Sequence, residues 1–201
     1  MADKITKAAK SAIKRERADT QLTAAQGEAV VLYELMWRGW IPANVNQFVK
    51  NARNIDIVAT NEFGQVSLSV KTAGKENNPA GRIRLGGSAH ERAFNQHRGA
   101  QADFIVFVLI NGDSSKKYRC FVVPTEIAER TVHECHCFYL DHEQPDGQPR
   151  KDSGKAIYFF GKDKASNIAY EFAETWAVYE GEDAWKALAS SARETPQRAT
   201  R

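Results

Sequence analysis

Residues 54–72 read NIDIVATNEFGQVSLSVKT. Two alternating stretches flank a short polar segment containing Gly64, the pattern of a β-hairpin. In the first stretch Ile55, Ile57 and Ala59 share one face, and Asp56, Val58 and Thr60 share the other. In the second, Val66, Leu68 and Val70 face one way, while Ser67, Ser69 and Lys71 face the opposite way. Pairing through the NEFGQ turn brings Asp56 and Lys71 toward each other on the polar face. Aspartate suits strands poorly, so an acid in mid-strand asks for a reason. Three reasons stand open: a metal ligand, an acid at the exposed edge of the hairpin, or a partner for Arg53.

N-terminal to the hairpin, Thr23 and Gln26 form a capping-box pattern. It opens a helix that runs through EAVVLYELMW and stops at Gly39. On a helical wheel Glu28 falls in the same arc as Val31, Leu32 and Leu35. A carboxylate in an apolar arc is costly unless it is paired or binds a metal, and a structural salt bridge explains Glu28 equally well. A separate amphipathic helix is expected earlier, on Ile5, Ala8, Ala9, Ala12 and Ile13. WIPANVNQF predicts a first strand, irregular or at an edge because of Pro42.

C-terminal to the hairpin, AGKENNPAGRIRLGG (73–87) predicts a loop, and Ser88 with Glu91 predicts a helix start running to about Arg98. FIVFVLI is a continuous apolar run suited to a central strand. YRCFVVP is the next strand, ended by Pro124. TEIAER predicts a helical turn or two and HECHCFYL a further strand. A polar excursion, DHEQPDGQPRKDSGK, follows, then a short strand in AIYFFG. A helix from about Ala169 to Ala192 is anchored by Phe172, Trp176, Trp185 and Leu188. The order gives an α/β fold with a mixed sheet, not a regularly alternating doubly wound one. The expected divisions are a basic N-terminal helix or tail at 1–19, one domain at 20–192, and a disordered tail at 193–201.

Composition narrows the function classes. The 201 residues contain 42% hydrophobic and 10% aromatic residues, enough for one sizeable core. No apolar run is long enough to cross a bilayer, and the N-terminus lacks the apolar stretch of a secretory signal, so a cytoplasmic protein without a membrane partner is expected. The three cysteines, Cys120, Cys135 and Cys137, do not make a disulfide scaffold. On a strand, His133, Cys135 and Cys137 would share a face and with Cys120 invite zinc, although no CxxC pair supports it. GxSxG, GxxxxGK[ST] and GxGxxG are absent, which removes nucleophile-elbow and nucleotide-loop chemistry. Net charge is a mild +3, but Lys4, Lys7, Lys10, Lys14, Arg15 and Arg17 crowd the N-terminus.

Asp56, Lys71 and a helix-borne Glu28 would together supply two hard oxygen ligands and one cation. Phosphodiester hydrolysis uses such a set: Mg2+ takes a few carboxylates and keeps several waters, and a lysine orients water or offsets developing charge. The residues Gly27-Glu28, then Asn54-Ile55-Asp56-Ile57-Val58, then Leu68-Ser69-Val70-Lys71-Thr72 resemble the PD-(D/E)XK nuclease superfamily, in particular small endonuclease and resolvase-like members. FIVFVLI with CFVVPTEIA, and the late aromatic helix around Trp185, extend the resemblance over about residues 20–190.

The resemblance implies a restriction-endonuclease-like fold, a central four- to five-stranded mixed sheet flanked by helices. It implies Asp56 as metal-binding aspartate, Lys71 as catalytic lysine, Glu28 as the helix glutamate, and the Val70 carbonyl completing the shell of Mg2+ or Mn2+. Ser69 stands where the superfamily has Glu, Asp or Gln. Either Glu28 replaces that acid or the site is weakened. Downstream, Lys75, Arg82, Arg84, Arg92 and Arg98, with His90 and His97 among them, fit a phosphate-contacting surface on DNA, or equally an ordinary solvated face. Gly81, Gly86 and Gly87 would let backbone approach a phosphate, and Gln96 is a further residue of that helix directed toward the site. The expected function is metal-dependent endonucleolytic hydrolysis of DNA. A homodimer would bring two active sites to two strands. The rival expectation is a nuclease-fold module that binds nucleic acid or protein without cutting.

Overall fold

A computed structural model describes residues 2–45, 55–74, 82–86, 102–110, 118–141, 143–144, 146–152, 155–158 and 173–194. The elements are α1 (Ala2–Trp37), β1 (Ile41–Asn44), β2 (Ile57–Asn61), β3 (Gly64–Ala73), β4 (Arg82–Gly86), β5 (Phe104–Ile110), β6 (Tyr118–Pro124), α2 (Thr125–Asp141), β7 (Lys155–Tyr158), α3 (Ala173–Ala177) and α4 (Glu182–Glu194). Five strands form a mixed sheet in the order β1-β2-β3-β5-β6. The β3–β5 pair is parallel, and the other neighbours are antiparallel.

The hairpin expected at 54–72 organises this sheet. Asn61 pairs with Gly64 across a two-residue loop, with Gly64 at φ 145°. The alternation read from the sequence becomes the division between the two faces. Ile57, Ala59, Val66, Leu68 and Val70 join Val31, Leu35, Trp40, Trp185 and Leu188 in one core, beneath α1 and α4. Ile105, Phe107, Leu109, Phe121 and Val123 face the other way, packing with Ala128 and Val132 of α2 and Trp176 of α3. FIVFVLI therefore supplies both cores, which is why it is apolar throughout. The result is an α/β/α sandwich.

β1 is an edge strand, as Pro42 predicted. Val45 N–H donates to Asp56 O at 2.9 Å, so hydrogen-bonded positions alternate back through Ala43 and Ile41. Pro42 thus falls at a position whose missing N–H would face away from β2, where it blunts the open edge.

Four expectations need correction. α1 is one uninterrupted helix rather than two; Thr23 and Gln26 lie inside it, and no Gly or Pro separates residues 2–26 to break it. HECHCFYL is helical, continuing TEIAER in α2. Its buried residues Ala128, Val132 and Cys135 are spaced four and three apart, and this helical period outweighs the local alternation of His133, Cys135 and Cys137. The loop expected at 73–87 contains β4, which pairs antiparallel with β7 in a separate ribbon. The last helical segment is divided into α3 and α4 at Gly181, which has φ 93°. The helix expected at 88–98 lies outside the described residues.

Candidate active site

The β2–β3 ladder ends at Ile57 opposite Leu68, followed by Asp56 N–H donating to Leu68 O at 2.9 Å. β3 runs on beside β5 as far as Ala73. Among the described residues a notch results, in which the edge of β3 meets a side chain instead of a strand. Val70 N–H donates to Asp56 Oδ2 at 2.7 Å, and the Ser69 hydroxyl donates to the same oxygen at 3.1 Å. The N–H and C=O of one extended residue point to the same side, so the Val70 carbonyl faces the notch as well. Ser69 is buried, with 4% of its surface exposed. Lys71, two residues on, shares its face of the strand and is half-buried. Asp56 and Ser69 therefore meet at the notch, and Lys71 follows Ser69 on the same face of β3.

Glu28 lies in the layer above, on α1. Gly27 places α1 against β3: a Cβ there would stand 1.7 Å from Thr72 Oγ1. One residue later, Glu28 Oε2 accepts a 2.6 Å hydrogen bond from Asn44 Nδ2. Asn44 closes β1, and the next residue, Val45, holds the Asp56 carbonyl. Glu28 and Asp56 are thus tied to neighbouring residues of one short segment. Sequence reasoning missed Asn44, because an amide in an irregular edge strand carries no signal until its partner is known.

The basic residues divide. Arg82 and Arg84 lie in β4, whose ribbon sits beside β3 and along α2. That places their backbone on the α2 side of the sheet, the side of Ser69 and Lys71. Lys75, Arg92, Arg98, His90, His97 and Gln96 lie outside the described residues.

No family model and no curated protein matches this chain. Among solved structures it is similar to that of a bacterial homing endonuclease, I-Ssp6803I. The TM-score is 0.47, with 15% identity over 86% of this chain and 93% of that chain. A likeness this distant carries no chemistry by itself.

The oxygens at the notch and on Glu28 are hard donors, two carboxylates and a carbonyl, and they suit Mg2+ or Mn2+. Among the described residues no three His, Cys, Asp or Glu side chains cluster as a metal site, so the Val70 carbonyl and water would have to complete such a shell. The zinc reading fails on geometry. His133 and Cys137 face each other across one turn of α2, 3.6 Å apart, while Cys135 is buried. Cys120 belongs to the core on the opposite side of the sheet. Burial pushes the Cys120 thiol up to about 12 and the Cys135 thiol to about 11, so both stay protonated at neutral pH.

A second polar cluster is structural. Glu34 accepts from the Tyr118 hydroxyl and from Arg38, both at 2.5 Å, and Arg38 reaches Glu182 at 2.6 Å while stacking 4.8 Å over the Trp185 ring. Burial, and then the Glu34 carboxylate, push the Tyr118 hydroxyl far above its usual range. A phenol held protonated against a carboxylate and a shared guanidinium fasten α1, β6 and α4 together. No helix among the described residues is long and apolar enough to cross a membrane.

Proposed function

We propose that this chain hydrolyses phosphodiester bonds of DNA with Mg2+ or Mn2+, as an endonuclease of the PD-(D/E)XK kind. One observation carries the reading: the Asp56 carboxylate is fastened to Ser69 and Val70 on the strand that continues into Lys71. Asp56, Glu28 and the Val70 carbonyl would hold the ion. When bound, it supplies a positive charge at the phosphate and a water acidic enough to act as nucleophile.

The remaining work belongs to the chain. Two hydrogen bonds to Oδ2 fix the Asp56 carboxylate in direction. Lys71, on the same face of β3 as Ser69, would supply a cation to orient the attacking water or offset charge on the phosphate. Arg82 and Arg84, with Lys75, Arg92 and Arg98, would contact backbone phosphates and position DNA without reading its sequence. A homodimer would supply a second site for the second strand.

The test is cleavage of supercoiled, linear and branched DNA with Mg2+ or Mn2+, comparing the wild type with Asp56→Ala and Lys71→Ala. Metal-dependent nicking lost in both variants supports the reading. Absence of cleavage, or cleavage surviving both changes, overturns it. A specific observation favours a second reading. The hydroxyl of Ser69, where the superfamily carries an acid, is committed to Asp56. That arrangement fits a module that binds DNA or protein and no longer cuts, and salt-sensitive DNA binding without nicking would select it.

A further inference from the structure

We propose that Asn44 is a positioning residue for the metal site, acting through Glu28; this rests on the reading of Asp56 and Glu28 as metal ligands. Three observations meet at the end of β1. Asn44 Nδ2 donates to Glu28 Oε2 at 2.6 Å. The next residue, Val45, donates its N–H to the Asp56 carbonyl at 2.9 Å. Asn44 itself lies opposite Ile57 in the β1–β2 register, one residue from Asp56. The Asn44–Val45 segment is a bracket: its side chain holds the Glu28 carboxylate and its backbone holds the Asp56 main chain.

The chemistry of the donor fits this role. Glu28 ends a flexible side chain on α1, while Asp56 is set by the sheet. For both to face one ion, the glutamate has to be turned toward the sheet and its rotamer freedom removed beforehand. A lysine or arginine at position 44 would do that while adding a positive charge that competes with the ion. The neutral amide of Asn44 supplies direction without that charge. Both side chains are half-buried, so the hydrogen bond is shielded from water and holds its geometry better than a surface contact would. α1 is itself fixed at this height by Gly27 against Thr72, so the Glu28 side chain is the adjustable part and Asn44 fixes it.

Calorimetric titration of the metal-free full chain with Mn2+ alone, without DNA, tests the proposal. The proteins are the wild type, Asp56→Asn, Glu28→Gln, Asn44→Ala and the double variant Asn44→Ala/Glu28→Gln. Asn44→Ala is expected to weaken Mn2+ binding about tenfold, the scale seen when the partner that orients a metal ligand is removed. In the Glu28→Gln background the same change is expected to do nothing further, since residues acting through one another are not additive. Asn44→Ser, which keeps a small polar side chain, serves if Asn44→Ala lowers folding stability, and thermal unfolding of each variant checks this.

Wild-type affinity in Asn44→Ala, or single effects that multiply in the double variant, would overturn the role of Asn44 alone, provided Asp56→Asn has lost the metal. A wild type that binds no more Mn2+ than Asp56→Asn would overturn the metal reading, and the role of Asn44 with it.

Discussion

Asp56 and Asp103 meet β3 in nearly the same manner. Asp103 Oδ2 accepts from the Ser67 N–H and the Ser67 hydroxyl, both at 2.7 Å, and its own N–H donates to Ser67 O at 2.9 Å. Asp56 Oδ2 accepts from the Val70 N–H and the Ser69 hydroxyl, and its N–H donates to Leu68 O. Each acid sits immediately before a neighbouring strand and closes the ladder to β3, one on the β5 side and one on the β2 side. Their settings differ. Asp103 is exposed and leads into β5, which pairs with β3 for its whole remaining length. Asp56 is half-buried where pairing stops, with Lys71 on the same face and the Glu28–Asn44 pair tied to the next segment. The same hydrogen bonds make a strand cap in one place and a candidate site in the other. What separates them, among the described residues, is the interruption of the ladder, which leaves a strand edge and a carboxylate facing the same notch.

The largest expected contrast is between the two aspartates. With Mg2+ and supercoiled DNA, Asp56→Asn is expected to lower the nicking rate by about 4 kcal/mol of barrier, roughly a thousandfold. Asp103→Asn is expected to leave the rate unchanged and lower unfolding stability by about 1 kcal/mol. Equal losses of activity would erase the distinction. Lys71→Met comes next, with nicking expected to fall roughly a hundredfold while Mn2+ affinity in the absence of DNA is retained. Loss of metal binding in that variant would mean that Lys71 acts by supporting the carboxylates.

The two serines give a smaller contrast. Ser67→Ala and Ser69→Ala each remove one hydroxyl donor, and each is expected to lower stability by about 1 kcal/mol in denaturant unfolding. Only Ser69→Ala is expected to weaken Mn2+ binding as well, about tenfold or less. A matching loss in Ser67→Ala would show that the effect spreads through β3 rather than residing at Asp56.

Thiol chemistry supplies the smallest effect and a fold control for all of these variants. Burial raises Cys120 to about 12 and Cys135 to about 11, from an ordinary value of 9.0. Thiol labelling of the folded chain at pH 8 should therefore be slow at both, and remain slow in Asp56→Asn and Asp103→Asn. Because the folded state holds these protons more tightly than the unfolded chain, the stability they contribute is complete below about pH 9. It falls as pH rises toward 11 and 12. Unfolding free energies measured from pH 8 to 10.5 should decline, and the Cys120→Ala/Cys135→Ala variant should decline less.

How much of the site was legible depended on whether neighbours in space were neighbours in sequence. Asp56, Ser69 and Lys71 lie on a hairpin with a two-residue loop, so alternation alone set their common face. Glu28 was legible as an acid in an apolar arc, because helical period is local. Asn44 was not, since its role depends on α1 packing over β1. The β4–β7 pairing joins segments about seventy residues apart, and α2 misled because a short alternation at His133, Cys135 and Cys137 competes with the helical spacing of its buried face.

The sequence by itself determined the strands of the central sheet, the division of their faces and the hairpin that carries Asp56 and Lys71. Periodicity and turn chemistry are properties of consecutive residues, and burial acts on them one element at a time. Only the tertiary structure decided that β2 stops where β3 continues, that Ser69 donates to Asp56, and that Asn44 links α1 to the same segment as Asp56. Those facts depend on which layers meet and at what height, and here the height is set by Gly27 against Thr72, where there is no room even for a methyl group.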